Sequence, residues 1–290
     1  MKKAPVCDIS HGQLSNFHSE AAFSYAFGLA YADHIRETAE TIPEKPVIFL
    51  KHGTPVVNQE TVKTPSIDEM LQATFKIEPA IRDQVEPLRD KIGPMLDYEI
   101  ELGVQILEDC KLQDLEAGAP LPRIGYFLAN DLTTRTVQLF GQLCDSRLPC
   151  WTECKSFDGF FPTADTLWVP NEDARDKFPD VTLHLKVNGK TRQKEPVSSL
   201  IYTPRELLTH AARFAPGRRL NAGDLLVTGT PAGVTFKVNR LKRQIARALP
   251  ARFLIGAMVS AGKANSDYLK PGDVIEADAE WLGSHSFTIT

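Results

Sequence analysis

The stretch that most constrains the fold is DYEIELGV, residues 97–104. It is apolar at every second position, and between these positions stand three carboxylates, Asp97, Glu99 and Glu101. Side chains of a β-strand alternate between two faces, so the acids would share one face opposite an apolar one. Like charges repel, and removing them from water is costly unless a positive charge compensates. The stretch is therefore either a half-exposed edge strand with a wet acidic side or a strand whose acids hold a cation.

The composition is that of an ordinary soluble globular protein. The 290 residues are 42% hydrophobic and 24% charged, which allows one large domain or a core with a small appended piece. The net charge of −4 provides no polybasic surface for nucleic acid. The start, MKKAPVCDIS, has no apolar segment after its lysines, and no apolar run approaches the roughly 18 residues that span a bilayer. We expect a cytoplasmic protein that binds neither nucleic acid nor membranes.

Cysteine usage points to free thiols. The count is odd, and there is no C-x-x-C pair and no histidine at zinc-like spacing, so neither a disulfide framework nor a structural zinc is favoured. We expect buried or half-buried thiols at Cys7, Cys110, Cys144, Cys150 and Cys154.

The pattern along the chain predicts a β-rich α+β fold. Strands are indicated by alternation, apolar runs and turn signals at 46–57, 98–107, 122–131, 181–193, 223–234 and 273–290. The Asn188-Gly189 pair predicts a tight hairpin. Helices are predicted at 66–75 and 203–214, where capping boxes begin at Ser66 and Thr203, and at 238–249, whose basic face is either simply solvated or a polyanion-binding surface. We predict an N-terminal module over 1–60 and a main domain over 61–290.

The acidic strand suggests a metal site. Residues two apart on a strand have Cα atoms about 6.5–7 Å apart, so Glu99 and Glu101 can share one cation whereas Asp97 and Glu101 cannot easily do so. Gly103 beyond them would leave room for a ligand. Asp131, an acid after the apolar run GYFLAN, is the best third ligand. An all-carboxylate set selects a hard cation, namely magnesium, manganese or calcium.

Five motifs in this order resemble the fumarylacetoacetate hydrolase family, whose members include acylpyruvases and oxaloacetate decarboxylases. They are EIELGV, GYFLANDLTTRTVQ, CKSFDGFFP, VTGTPAGV and LKPGDVIEA. In addition, GLAYADHIRE resembles the lid helix of acylpyruvase-like members, and FLKHGTPVV resembles the K-P-S-T segment after it. The match runs from about residue 31 to the end. It implies a fumarylacetoacetase C-terminal-like mixed β-sandwich roll, the lid helix inside the 1–60 module and a homodimer.

The resemblance also assigns roles to individual residues. It implies that the divalent ion, Mg²⁺ or Mn²⁺ with Ca²⁺ also allowed, is bound by Glu99, Glu101 and Asp131. It places a cationic partner at Lys155 and a water-activating pair at His34 and Glu37. It places three residues around the substrate: Arg135, Gln138 and Thr230.

Plainer interpretations of these residues stay open. His34 and Glu37 are three apart and share a helix face, as a base and its orienting carboxylate would, but so do many pairs on ordinary surface helices. Lys155 is otherwise a surface lysine, and Thr230 a turn residue before Pro231. The remaining histidines are interpreted as structural or exposed: His11, His18, His52, His184, His210 and His285.

The implied activity is metal-dependent hydrolysis of a carbon–carbon bond in an acylpyruvate- or fumarylacetoacetate-type 2-oxo acid. Water activated by His34 attacks the distal carbonyl, and pyruvate leaves as an enolate held by the metal. Three alternatives remain: an oxaloacetate decarboxylase, an isomerase or hydratase of unsaturated 2-oxo acids, and an inactive member that binds only a metal or metabolite.

The chain departs from the family pattern at three places. His52-Gly53 replaces Pro-Ser after Lys51, next to the lid. Thr136 replaces an Asp, which removes a charge near Asp131. About thirty-five residues, around 235–268 and including the basic helix, separate TGTPAGV from the K-P-G-D hairpin. The insertion makes the substrate less predictable than the metal site.

Overall fold

The computed structural model describes residues 3–21, 23–37, 45–142, 147–236, 255–256, 260, 265 and 267–290, and it confirms the β-rich α+β class. In chain order the strands are β1 (Val6–Cys7), β2 (Gly12–Asn16), β3 (Phe23–Gly28), β4 (Val47–His52), β5 (Val56–Val57), β6 (Thr61–Val62), β7 (Leu96–Asp97), β8 (Ile100–Ile106), β9 (Cys110–Lys111), β10 (Ile124–Asn130), β11 (Thr133–Thr134), β12 (Pro162–Thr163), β13 (Thr166–Pro170), β14 (Phe178–Pro179), β15 (Thr182–Val187), β16 (Lys190–Pro196), β17 (Arg219–Leu220), β18 (Leu225–Val227), β19 (Val274–Asp278) and β20 (Ser284–Ile289). The α-helices are α1 (Ala32–Glu37), α2 (Ile67–Ile77), α3 (Arg82–Val85), α4 (Leu112–Glu116), α5 (Arg135–Gln142), α6 (Arg147–Cys154) and α7 (Pro204–Phe214).

Short 3₁₀ helices join these elements. They are Ile9–His11, Pro79–Ile81, Glu86–Lys91, Glu172–Ala174, Val197–Ser199, Pro216–Arg218 and Glu280–Leu282.

The acidic strand β8 lies inside the largest sheet. Nine strands form this sheet, with the main order β2-β13-β10-β8-β18-β3-β4, with β12 paired to β10 and with β5 paired to β12. β8 pairs antiparallel with β10 on one side and with β18 on the other. Every residue of β8 is buried, so the interpretation as a half-exposed edge strand is wrong. Burial of both faces removes water from the acids and makes a compensating positive charge necessary.

Two hydrophobic cores enclose the large sheet. The face of β8 that carries Ile100 and Leu102 packs in the main core together with Leu183 and Leu185 of β15. That strand belongs to a second sheet with the order β16-β15-β19-β20-β6. The opposite face of the large sheet packs against Trp151 of α6. The predicted strands thus form two layers, as expected for a mixed β-sandwich.

Local sequence signals account for several boundaries. Asn188 and Gly189, with φ of 52° and 73°, turn β15 into β16, which confirms the predicted hairpin. The side chains of Ser66 and Thr203 accept the backbone N–H groups of Glu69 and Glu206, so both predicted capping boxes begin their helices, α2 and α7.

The first sixty residues are joined to the rest through the large sheet. β3 pairs in parallel with β18 and antiparallel with β4. The division at residue 60 stays a prediction. The predicted basic helix at 238–249 and the thiol of Cys144 lie outside the described residues, and the other four cysteines are buried free thiols. No helix in the described part of the chain combines the length and apolarity that crossing a bilayer requires.

One core histidine makes stability depend on pH. His285 of β20 is buried and stacks on Phe287, and burial lowers its pKa from 6.5 to about 4. The folded protein keeps this ring neutral, whereas the unfolded chain takes up a proton below its pKa. The contribution of His285 to the free energy of unfolding is therefore fully present above pH 6.5 and is lost as the pH falls toward 4.

On acidification from pH 7 to about pH 5, protonation of His285 in the unfolded chain should lower the free energy of unfolding by about 2 kcal/mol. Urea unfolding of wild-type protein and of a His285→Leu variant at both pH values measures this. The free energy of unfolding of the variant should gain about that amount relative to wild type on acidification. Equal acid sensitivity of the two proteins would contradict the assignment.

Candidate active site

Strand pairing brings the three predicted carboxylates together. β8 and β10 pair antiparallel with Glu101 opposite Ala129, and the Asp131 backbone N–H donates to the Glu99 carbonyl at 2.8 Å. One carboxylate oxygen from each of Glu99, Glu101 and Asp131 lies within 4.8 Å of the other two, and all three residues are buried. The geometry matches the predicted ligand set, whose role stays a prediction.

The space beside Gly103 is not open to a ligand, contrary to the sequence interpretation. A Cβ atom at this position would lie 2.2 Å from the Phe127 ring, which is the cross-strand neighbour of Gly103. Phe127 in turn stacks on Phe17 with ring centroids 4.0 Å apart. The glycine serves packing between strands, because only a residue without a side chain admits this ring.

Lys155, predicted as a cationic partner, lies among the acids. Its ammonium group contacts Glu99 Oε2 at 2.5 Å and Asp131 Oδ2 at 2.6 Å, and it donates to Thr133 Oγ1 at 2.8 Å. Burial lowers the pKa of Lys155, but Asp131 and Glu99 outweigh it and hold the pKa above its ordinary value. Lys155 therefore stays charged and is not an exposed surface lysine.

Arg135 lies on the other side of Glu99. Its Nη2 contacts Glu99 Oε1 at 2.6 Å, its Nε donates to Asp97 Oδ2 at 2.8 Å, and its Nη1 donates to Gln138 Oε1 at 2.9 Å. The predicted substrate residues Arg135 and Gln138 are thus buried together beside the triad. Asp97 is the counterion that anchors Arg135 and takes no part in the triad.

Lys51 is a site residue that sequence reasoning left without a role. It is fully buried on β4, with Nζ 2.8 Å from Asp131 Oδ1. The same ammonium donates to the Phe160 carbonyl at 3.0 Å and to the Lys155 carbonyl. Lys51 therefore fixes both a candidate ligand and the backbone that carries Lys155. The sequence gives only a weak signal for this burial. Lys51 is the next-to-last residue of β4, and lysines near strand ends usually extend to solvent.

Among the described residues, the cations around the triad pair with Glu99 and Asp131 and not with Glu101. Burial raises the pKa of Glu99, but Lys155, Arg135 and His34 outweigh it and lower the pKa to about 2. For Glu101, burial and then the charge of Asp131 raise the pKa well above its ordinary value. No ion pair reaches Glu101 within the described ranges. A buried, all-oxygen set with one uncompensated acid fits a hard divalent cation.

The predicted water-activating pair lies on α1. His34 is buried, and its Nδ1 is 3.9 Å from Glu37 Oε2, which is longer than a hydrogen bond. The same Glu37 oxygen accepts the Gly233 backbone N–H at 2.8 Å. The loop that holds Glu37 also reaches the triad, because the Gly229 N–H donates to Glu101 Oε2 at 2.7 Å. The pair is therefore inside the protein and not on an ordinary surface helix.

Thr230, predicted beside the substrate, is held by the protein itself. Its hydroxyl donates to the Ile100 carbonyl at 3.0 Å and accepts from Gln193 Nε2 at 2.8 Å. Gln193, which the sequence did not single out, also donates to the Pro231 carbonyl at 2.9 Å and accepts the Ile100 N–H at 3.0 Å. Its buried amide thereby joins β8, β16 and the TGTPAGV loop.

Two of the departures have simple structural outcomes. The Thr136 hydroxyl donates to the Gly93 carbonyl, so this residue ties α5 to the loop before β7. The His52 side chain is exposed, and its backbone N–H donates to Ser156 Oγ at 2.9 Å. The inserted segment lies largely outside the described residues.

Comparison with known proteins identifies the family. Residues 24–290 match the family model "Fumarylacetoacetate (FAA) hydrolase C-terminal". The chain is 29% identical over 259 residues to 2,4-didehydro-3-deoxy-L-rhamnonate hydrolase of Sphingomonas sp. (strain SKA58), covering 89% of this chain and 70% of the relative. It is 31% identical over 224 residues to oxaloacetate tautomerase FAHD1, mitochondrial, of Homo sapiens, covering 76% and 85%.

A solved structure shares the fold. Fumarylpyruvate hydrolase of Pseudomonas aeruginosa, in complex with Mn²⁺ and pyruvate, aligns with a TM-score of 0.60 at 22% identity and covers 100% of this chain and 97% of that protein. The family model spans both the carboxylate triad and the helix that carries His34. The chain therefore belongs to the fumarylacetoacetate hydrolase family.

Proposed function

We propose that this protein is a divalent-metal-dependent hydrolase that cleaves a carbon–carbon bond in an acylpyruvate-type 2-oxo acid. The observation that carries the proposal is that one loop binds both parts of the site: the Gly229 N–H donates to Glu101 of the buried carboxylate triad, and the Gly233 N–H donates to Glu37 beside His34. A metal-binding protein without catalysis needs the triad alone. A buried imidazole close to a carboxylate, as His34 is to Glu37, is what a general base requires.

The relatives support both the substrate class and the metal. One relative is named as a hydrolase, and the fold neighbour is a fumarylpyruvate hydrolase solved with Mn²⁺ and pyruvate. We propose Mn²⁺ or Mg²⁺, bound by Glu99, Glu101 and Asp131. Such an ion, when bound, acts as a Lewis acid toward the carboxylate and keto oxygens of a 2-oxo acid.

The protein's own groups account for the proton and charge movements. His34, oriented by Glu37, accepts a proton from water as the water oxygen attacks the distal carbonyl carbon. The bond between that carbon and its neighbour then breaks, and its electron pair stays with the pyruvate fragment. Lys155, fixed 2.5 Å from Glu99, offsets the developing negative charge, and Arg135 keeps Glu99 in place. A proton returned to the pyruvate carbon completes the reaction, leaving pyruvate and a second acid.

A tautomerase acting on oxaloacetate is the second candidate. The supporting observation is the 31% identity over 224 residues to the human oxaloacetate tautomerase. In that reaction no bond to water forms, and His34 would only move a proton between carbon and oxygen. An oxaloacetate decarboxylase would use the same bound ligand and release carbon dioxide.

A substrate panel distinguishes these activities. Purified protein is incubated with acylpyruvates, fumarylacetoacetate and oxaloacetate, each with Mn²⁺, Mg²⁺ or chelator. We expect pyruvate together with a second acid from an acylpyruvate, at a rate that chelator lowers at least about 100-fold. Enol–keto conversion of oxaloacetate without pyruvate would favour the tautomerase, pyruvate with carbon dioxide the decarboxylase. Turnover of none of these compounds would contradict all three.

A further inference from the structure

Residues 229–236, here called the strap, run along the acidic strand in the opposite direction. At the strap's start the Gly229 N–H donates to Glu101 Oε2 at 2.7 Å, and the Thr230 hydroxyl donates to the Ile100 carbonyl at 3.0 Å. At its end the Thr235 and Phe236 N–H groups donate to Asp97 at 3.0 and 3.1 Å. The strap is thus bonded to one candidate ligand and to the carboxylate that anchors Arg135.

The middle of the strap reaches the water-activating pair. The Gly233 N–H donates to Glu37 Oε2 at 2.8 Å, and the Gly233 carbonyl accepts the Tyr98 hydroxyl at 3.0 Å. Gly233 has a φ of 110°, and a Cβ at this position would lie 2.1 Å from the Arg192 carbonyl oxygen. Only glycine fits here, and glycine is the residue with the freest backbone.

That freedom has to be restrained if the Gly233 N–H is to point at Glu37. Gln193 holds the first part of the strap at Thr230 and Pro231, and Asp97 holds the end. Between these anchors, the Tyr98 hydroxyl holds the Gly233 carbonyl. The phenol is the donor in this contact, because a carbonyl oxygen can only accept.

We propose that Tyr98 is a positioning residue for the reaction: by holding the Gly233 carbonyl it fixes the backbone N–H that orients Glu37 toward His34. The proposal rests on the proposed function, since it assigns Tyr98 to the water-activating pair. Tyr98 neighbours Glu99 in the chain, so the strand that supplies the carboxylates also aligns the base. It touches neither the triad nor the substrate in this role, and its effect on the reaction passes through Gly233 and Glu37.

A Tyr98→Phe variant removes the hydroxyl and keeps the ring. The matched control is Tyr126→Phe on β10, which also removes a buried tyrosine hydroxyl bonded to a backbone carbonyl, that of Lys177 at 3.2 Å, but away from the strap. Three quantities are measured on full-length wild-type and variant proteins: steady-state kinetics on the best acylpyruvate, Mn²⁺ affinity by calorimetry, and hydrogen–deuterium exchange of peptides covering 32–37 and 229–236.

We expect Tyr98→Phe to lower kcat about 10-fold while KM and the Mn²⁺ affinity change less than about twofold. Exchange should rise both in the strap and in α1. Tyr126→Phe should leave kcat and both peptides unchanged, which a general loss of packing would not do. Unchanged kcat, or exchange in 32–37 that Tyr98→Phe does not raise, would overturn the proposal.

The two proposals fail in different ways. If wild-type protein turns over no compound of the panel, the proposed function is wrong. Hydrogen–deuterium exchange then remains as the test of whether Tyr98 positions Glu37. Faster exchange in 32–37 on Tyr98→Phe, with none on Tyr126→Phe, would still support it. Equal exchange in both variants would overturn it.

Discussion

Replacing Glu101 by glutamine should abolish Mn²⁺ binding at working concentrations and leave the fold intact. Loss even of an outer partner of a metal ligand typically costs roughly 10- to 100-fold in affinity, so loss of a ligand charge should cost about 100-fold or more. The amide oxygen can still accept the Gly229 N–H, and the neutral amide avoids the negative charge that burial and Asp131 disfavour, as the raised pKa of Glu101 indicates. Calorimetric titration with Mn²⁺ measures the affinity.

Stability without metal provides the second measurement. Because Glu101 is buried without an ion pair among the described residues, its neutral isostere should have a free energy of unfolding equal to or above that of wild type. The control is Glu276→Gln, an exposed glutamate of β19, which should change neither quantity. Mn²⁺ affinity close to wild type in Glu101→Gln would remove the triad as the binding site.

The second large effect is expected from His34→Ala. General base catalysis contributes roughly 100- to 10,000-fold, so kcat on the best acylpyruvate should fall about 1,000-fold. The Mn²⁺ affinity should stay within about threefold of wild type, because no carboxylate is altered. The result separates the base from the metal ligands, since Glu101→Gln should lose both affinity and turnover.

His18→Ala is the control for this change. His18 is an exposed histidine with 79% of its side chain accessible, and its replacement should leave kcat unchanged. A kcat for His34→Ala within about twofold of wild type would exclude His34 from the mechanism and favour a base elsewhere.

Much of this fold could be predicted from local sequence patterns. The alternation in residues 97–104, the capping boxes at Ser66 and Thr203 and the turn at Asn188-Gly189 each depend on residues a few positions apart. Such signals act within one element and survive in the folded protein. The five ordered motifs predicted which distant segments meet, and Glu99, Glu101 and Asp131 do lie together.

The missed parts depend on contacts between distant segments. Lys51 meets Asp131 across eighty residues, and Gln193 meets Ile100 across ninety-three. Neither residue type announces burial, because lysine and glutamine are mostly exposed in proteins. Gly103 was mispredicted for the same reason. A glycine beside two acids suggested space for a ligand, but the ring of Phe127 on the neighbouring strand fills that space.

The candidate ligands and the base are carried by parts of very different size. Glu99 and Asp131 adjoin two strands paired along their full lengths, whereas His34 is on a helix of only six residues. A shift of that helix by an ångström would alter where a proton is taken up without disturbing the carboxylates. We therefore expect substitutions at α1 and at the residues that contact it to displace His34 more readily than the three acids, which paired strands hold in place.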